Sequence, residues 1–436
     1  MPWRDAIEPV RMDRVAVVAP ARALREVLAV VAAAGLVEPD LGVLESAGRA
    51  PEALEAVGID LVGSAAIQHG QVSALAGWAP AAEVSELASR LRPLGATIVR
   101  LRPPAGVQPP TLVPATGTSG AFQPLVDTYS TVPYSNLNPS VIAGLVYMAM
   151  FGMMFGDVGH GALLTAGGLL IRSRRLNPSG RLRSAAPFVV GAGLASMGFG
   201  LAFGEAFGPT HLVPTLWLSP LNAPTTLLAV AVAVGAALLA LSYVLATINR
   251  LREGGLTRAV FAVAGLAGAG LYLGLALIGL GWYRHLASVE VAGAVLSFLC
   301  LVLAFAGLHA EAGGRAAGIP QAGVELFDAV LRLGTNTVSF ARLAAFGLTH
   351  AALSSIVWRG TTVLWHGSGA SPVLACILFV VGNALAFALE GLIAAIQALR
   401  LEYYELFSRI FTDQGRRFRA WHISTTLPEE APCSPG

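Results

Sequence analysis

The chain has 436 residues, 55% hydrophobic and only 12% charged, with a formal net charge of +2 and a mean hydropathy of +0.66. A soluble protein carries roughly one-quarter charged residues, so the composition excludes an ordinary soluble enzyme and implies a polytopic membrane protein with a soluble appendage. All 28 basic residues are arginine; without lysine there is no P-loop and no Schiff-base chemistry. The three cysteines, Cys300, Cys376 and Cys433, show no metal or redox spacing.

Residues 1–11 read as an unstructured leader. Val27–Val37 is apolar but too short to span a bilayer and follows Arg25 and Glu26. Period-2 alternation and turn signals predict strand 13–19, helix 21–35, strand 72–79, helix 81–92 and strand 96–102. This is a small α/β unit of ferredoxin-like type. Pro103–Pro124, rich in Pro, Gly and Thr, reads as a linker. The expected division is a cytosolic α/β domain with linker over 1–125, a membrane domain over 126–412 and a cytoplasmic tail over 413–436.

The membrane domain opens with Val141–Ile171, whose one charge is Asp157. At ~1.5 Å per residue it is too long for one helix and short for two full crossings of a ~30 Å core. Further uncharged runs are Ala185–Gly204, Ala223–Ile248, Ala259–Tyr283 and Val291–Leu308. Leu333–Trp358 carries one charge, Arg342, and Ser371–Leu399 carries one, Glu390, with Arg400 directly after it. Arginines orient the runs. Loop 172–183 has five and loop 205–222 none; loop 249–258 has three and loop 282–290 only Arg284. The alternation is consistent if the first run makes two short crossings. That predicts a mainly α bundle of about eight transmembrane helices, the last two long and tilted, with both termini in the cytoplasm.

A guanidinium cannot shed its proton in a protein, so Arg342 is a permanent cation within an apolar run. Such a charge costs roughly 3 to 15 kcal/mol at a helix centre and marks a functional site by default; the bland reading is helix–helix glue. Small residues crowd both charged runs, which would let helices approach closely or let a smooth partner slide past. His350 lies eight residues beyond Arg342, about 80° round a helix, and reads equally as a seam residue or a hydrogen-bonded core histidine. Glu390, Gln397 and Arg400 form one polar stripe that cannot all face lipid. Glu325 and Asp328, one turn apart, read as a solvated helix start or a proton funnel. In FGMMFGDVGHG (151–161), Asp157 and His160 share a helix face at i,i+3. A metal site wants three or four ligands, so the favoured reading there is a structural cap of a tight turn and no metal. Glu205 in FGEAFG sits at a membrane edge on the external side.

The string SFARLAAFGLTHAALS followed by ALEGLIAAIQALRLEYYELFSRIF resembles the last two membrane helices of the a (or I) subunit of V/A-type rotary ATPases. MDRVAVVAP, LAGWAPAAEV, VPYSNLNPS and FGDVGHG resemble further parts of the same family, from about Met12 to Trp421. Asn138 stands where the family usually has an acidic residue. Only residues 21–74 separate the first two segments, where the family places long helical arms and a second lobe. The resemblance therefore implies a member with a shortened cytosolic domain. It implies a stator membrane subunit without an ATP site or cofactor of its own, working against a ring of proteolipid carboxylates. The other partners implied are peripheral and central stalk subunits and the lipid bilayer of a prokaryotic plasma membrane, with no nucleic acid. Arg342 would be the essential stator charge for proton or sodium translocation, with Glu390, Arg400, His350, Asp328, Glu325 and Gln397 shaping the water-accessible paths. The competing class is a secondary transporter with an intramembrane Arg–Glu pair. Such folds usually carry internal repeats, and no second copy of either charged segment is present. An intramembrane hydrolase would need a nucleophile–base pair or metal motif that the membrane runs lack.

Overall fold

A computed structural model describes residues 8–41, 58–104, 106–113, 117–173, 180–367, 371–410 and 415–422. The chain forms two compact units, one built from Met1–Pro114, Thr131–Tyr134 and Asp413–Gly436, the other from Ala115–Ser130 and Ser135–Thr412.

The first unit is an antiparallel sheet with helices on one face. Its strands are β1 (Met12–Pro20), β2 (Glu38–Pro39), β3 (Ile67–His69), β4 (Val72–Pro80) and β5 (Thr97–Leu101), and its helices α1 (Leu24–Ala34), α2 (Ile59–Ser64) and α3 (Val84–Leu91). The order is β2-β4-β1-β5, with β3 also on β4. Val17 stands opposite both Leu75 of β4 and Ile98 of β5. With β2 and β3 taken as two pieces of one edge strand, this is the ferredoxin-like order. The pattern reading missed that edge because each piece is only two or three residues long, below any readable period. Gly77 admits β2: a Cβ there would lie 2.7 Å from the Glu38 carbonyl oxygen.

The apolar faces of α1 (Val27, Leu28, Val31) and α3 (Val84, Leu87, Leu91) bury against Val15, Val17 and Leu75 of the sheet. Trp421 joins this core, fully buried, and its amide donates to Val37 O at 2.9 Å. The segment read as a tail is thus stitched into the sheet unit, at least over residues 415–422. Gly415 N donates to Thr131 O (2.9 Å), Thr111 N to Arg416 O (2.7 Å) and Phe418 N to Thr111 O (3.0 Å). Glu38, 2% exposed, accepts from the Arg419 amide at 2.9 Å and pairs with the Arg416 guanidinium. Burial pushes its carboxyl above the ordinary glutamate value, against the opposing pull of the Arg419 amide and Arg416.

The second unit is helical: α4 (Gly117–Tyr129), α5 (Ser140–Met154), α6 (Val158–Arg172), α7 (Gly180–Phe203), α8 (Pro224–Phe261), α9 (Leu266–Arg284), α10 (Ala287–Glu311), α11 (Ile319–Ser339), α12 (Ala341–Trp365) and α13 (Ser371–Leu401). Six stretches among the described residues are long and apolar enough to cross a membrane, and the shorter α5 is apolar too. With its membrane helices and small sheet unit, the protein is mainly α, polytopic and integral to the membrane. The linker reading fails beyond Gly117. Phe122 and Val126 of α4 are buried, so the apolar contacts of that helix outweigh its proline and glycine content. Val141–Ile171 is two helices, α5 and α6, parted at Phe155–Asp157. Loop residues 174–179 and 368–370, and Cys433, lie outside the described residues.

Helix α8 breaks at Gly255, whose φ of 72° is left-handed. The run holding Arg342 is also interrupted: α11 ends at Ser339, and α12 starts at Ala341 after the buried Phe340. Small residues set the helix spacing. A Cβ on Gly161 of α6 would lie 2.7 Å from Met197 N and 2.8 Å from Gly193 O of α7. One on Gly347 of α12 would lie 2.9 Å from Met153 O of α5. Gly347, Ala344, Ala386, Ala394 and Ala398 are all buried, so these small residues serve packing inside the bundle rather than a sliding surface. Ala345, Ala384 and Ala388 are exposed.

Candidate functional site

The polar residues of the membrane unit gather in two groups. The first surrounds Arg342, in the opening turn of α12. Its Nε donates to Ser339 O at 3.0 Å, so the cation sits on the last carbonyls of α11, where the helix dipole favours it. Its NH2 donates to Glu405 Oε1 at 3.2 Å, with side-chain exposures of 25% and 7%. Arg342 thus has a fixed carboxylate partner within the chain. Glu405 reaches it because Glu402–Phe407, directly after α13, is a π-helical turn. The extra residue per turn shifts the side-chain register there, and such turns recur at functional sites.

A cavity of about 1220 Å³ opens on this pair, lined by Asp328, Arg332, Asn336 and Ser339 of α11 with Arg342, Arg400, Tyr404, Glu405 and Arg409. Within it Asp328 pairs with Arg332 at 2.7 Å. Arg409 also lies over the Tyr243 ring, its guanidinium carbon 4.7 Å from the centroid. Four guanidiniums against two carboxylates leave this lining net positive.

The second group is about 12 Å further along α12, eight residues at 1.5 Å each. His350 Nδ1 is bonded to Glu390 Oε2 of α13. Across from it, Asp157 caps α6. Its Oδ1 accepts from the His160 amide (2.9 Å) and the Phe207 amide (3.0 Å), and its Oδ2 from the Gly208 amide (3.0 Å). The capping role expected for Asp157 is thus visible, and the residue also pins the 205–208 turn. The His160 and His350 ring centroids are 5.6 Å apart, and Phe155 packs against both rings. Glu205, 4% exposed, belongs to the same neighbourhood: His350, Asp157 and Glu390 all act on it electrostatically.

Of the residues singled out from sequence, Arg342, Arg400 and Asp328 share the cavity, and His350, Glu390, Asp157, His160 and Glu205 share the buried cluster. Glu325 stands apart and accepts from Gln321 on its own helix at 2.9 Å. Gln397 has a buried Oε1 without a hydrogen bond among the described residues and enters neither group. Glu405, Arg332 and Arg409 were missed. Lying just outside the apolar runs, they stood out only as charges near a membrane edge.

A family model described as the V-type ATPase 116kDa subunit family matches residues 65–186. The chain is 28% identical over 340 residues to the A-type ATP synthase subunit I of Aeropyrum pernix, covering 67% of this chain and 48% of that one. It is 27% identical over 392 residues to the A-type ATP synthase subunit I of Halobacterium salinarum, covering 74% and 52%. A V-type ATP synthase subunit I 2 of Treponema pallidum is 32% identical over 152 residues, covering 33% and 34%. The chain spans about half the length of the first two of these relatives.

Proposed function

The chain belongs to the V-type ATPase 116 kDa subunit family, and from that premise we propose that it is the stator membrane subunit of a V/A-type rotary ATPase, with Arg342 as the stator charge for proton or sodium translocation. The observation that carries the reading is Arg342 itself. It is a permanent cation at a helix break, 25% exposed and open to a charged cavity, beside α13, whose Leu385, Leu389, Leu392 and Ile396 are exposed.

A rotor carboxylate carrying its proton through lipid resists ionisation because desolvation disfavours the charged form. Beside Arg342 the ionised form is favoured and the proton leaves. The cavity bearing Asp328, Arg332 and Arg400 opens beside α11; the segment before α11 carries Arg315, which favours the cytoplasmic side, so this cavity would be the inner water path. The buried cluster of His350, Glu390, Asp157 and Glu205 borders the arginine-free 205–222 loop and would lead outward. Between them Arg342 repels a proton crossing directly, and Glu405 holds the guanidinium in place between passing carboxylates. The partners are then a carboxylate-bearing proteolipid ring and the stalk subunits of the complex, and ATP is bound elsewhere.

The test is Arg342→Ala in the assembled complex. ATP-driven proton uptake into vesicles falls to background while the ring still co-purifies. Normal uptake by an assembled Ala variant rejects the stator role; loss of the ring from the complex points instead to a helix-gluing role.

A further inference from the structure

We propose that the connection 209–222, between α7 and α8, is a lipid anchor. Its Leu212, Leu216, Trp217 and Leu221 seat in the boundary between headgroups and acyl chains, on the side of the membrane opposite the arginine-rich loops. The anchor stands apart from the stator reading, because its partner is lipid and it needs no ring.

The segment is uncharged, yet it does not continue a helix. No Asp, Glu or Arg occurs between Glu205 and Arg250, and no helix or strand lies between Phe203 and Pro224. Pro209, Pro214 and Pro220 interrupt it, each fixing φ and removing one backbone donor. An uncharged loop with this many leucines would bury them if it faced water. Here Leu212 and Leu216 are 77% and 71% exposed, Trp217 is 54% exposed, and Leu221 is exposed too.

Two constraints set the depth of this ridge. Apolar side chains left in water forgo the free energy of burial. Irregular backbone facing lipid cannot enter the hydrocarbon, where its N–H and C=O groups would lose their partners. The headgroup boundary meets both demands, since side chains reach the acyl region while the backbone keeps water and headgroups. Tryptophan favours that level because its ring is apolar and its indole N–H is polar.

The ridge is also held firmly on the end of a membrane helix. The Trp217 and Leu218 amides donate to Ala202 O at 2.9 and 3.3 Å, and the Trp217 ring stacks on Phe203 with centroids 6.4 Å apart. Gly204, with φ of 75°, turns the chain out of α7, and a Cβ there would lie 2.6 Å from Thr215 Oγ1. Thr210 Oγ1 donates to Ala206 O at 2.9 Å, which ties the ridge to the turn that Asp157 pins.

Two other helix ends supply an independent observation. Successive spans cross in alternate directions, so the ends of α7, α9 and α12 share one side. Helix α9 ends with the exposed Trp282 and Tyr283, and α12 with the exposed Trp365. Exposed tryptophan at three helix ends on one side is the pattern of an interfacial aromatic belt. Lipid covers all three at once, whereas a protein partner would have to reach each of them.

The experiment reconstitutes the full chain in phosphatidylcholine vesicles whose acyl chains carry bromine either near the headgroup or near the methyl end. The signal is the tryptophan fluorescence of the parent minus that of Trp217→Phe. The expected result is severalfold stronger quenching of Trp217 by the shallow bromine than by the deep one, with little quenching by aqueous iodide. Leu212→Asp combined with Leu216→Asp should lift the segment, so that bromine quenching falls severalfold and iodide gains access, while helical circular dichroism is unchanged. Quenching by iodide and by neither bromine overturns the anchor and leaves the ridge to another protein. Stronger quenching by the deep bromine overturns it too, as does a double Asp variant that leaves both readings unchanged. Should that variant fail to fold, the comparison of parent with Trp217→Phe still decides.

Discussion

Glu405→Gln, alone and combined with Arg342→Ala, tests how the charge is held. Arg342 and Glu405 lie 3.2 Å apart, which at an effective dielectric of about 20 is roughly 5 kcal/mol of attraction. Desolvation opposes much of this. Arg400, Arg409 and Ser339 also act on Glu405, so losing Arg342 does not leave a bare buried charge. The cavity further screens a guanidinium that is 25% exposed. These discounts bring each single variant to about 1–2 kcal/mol of destabilisation, below the 3–5 of a fully buried broken pair. The double variant should cost about 1 kcal/mol less than the sum of the singles, read from thermal melts of the purified chain. In the assembled complex Glu405→Gln keeps a substantial fraction of ATP-driven uptake, because the permanent cation remains, whereas Arg342→Ala keeps none. Additive stabilities would refute the pair. Uptake abolished by Glu405→Gln as completely as by Arg342→Ala would refute the assignment of the stator charge to Arg342 alone.

Three other perturbations probe the wider structure. A cysteine at Ser219 should react with an impermeant reagent from outside and one at Thr257 only from inside; the reverse pattern would overturn the arginine-based orientation. Gly161→Val pushes a side chain into the Met197 and Gly193 backbone and should cost more than about 3 kcal/mol, so an unchanged melting temperature would contradict the close α6–α7 contact. Glu38 has its folded-state value raised by burial, so it binds its proton more tightly folded than unfolded. Its contribution to stability therefore falls as pH rises from about 4 through that raised value. Glu38→Gln should accordingly gain on the parent, in melts of the full chain, as pH rises from about 4 to 7. An advantage that grows toward acid would reverse the sign and show the Arg416 contact to dominate.

Hydropathy and charge are local properties, so they carried a great deal in the bare sequence. The membrane class, the break of Val141–Ile171 into two helices and the main strands of the sheet unit follow from composition and period. Arg342 and Glu390 stood out because a charge in an apolar run is conspicuous without any structure. What the sequence could not disclose depends on contacts between residues far apart in the chain. Trp421 looked like part of a tail because nothing local marks it as the plug of a core formed by residues 15–96. Glu405 looked like one of several acids at a helix end until the π turn aimed it at Arg342. His350 was an isolated histidine until α12 packed beside the Asp157 cap and brought it to His160 and Glu390. The residue types able to do the chemistry were legible one by one; helix packing alone decided which of them share a site.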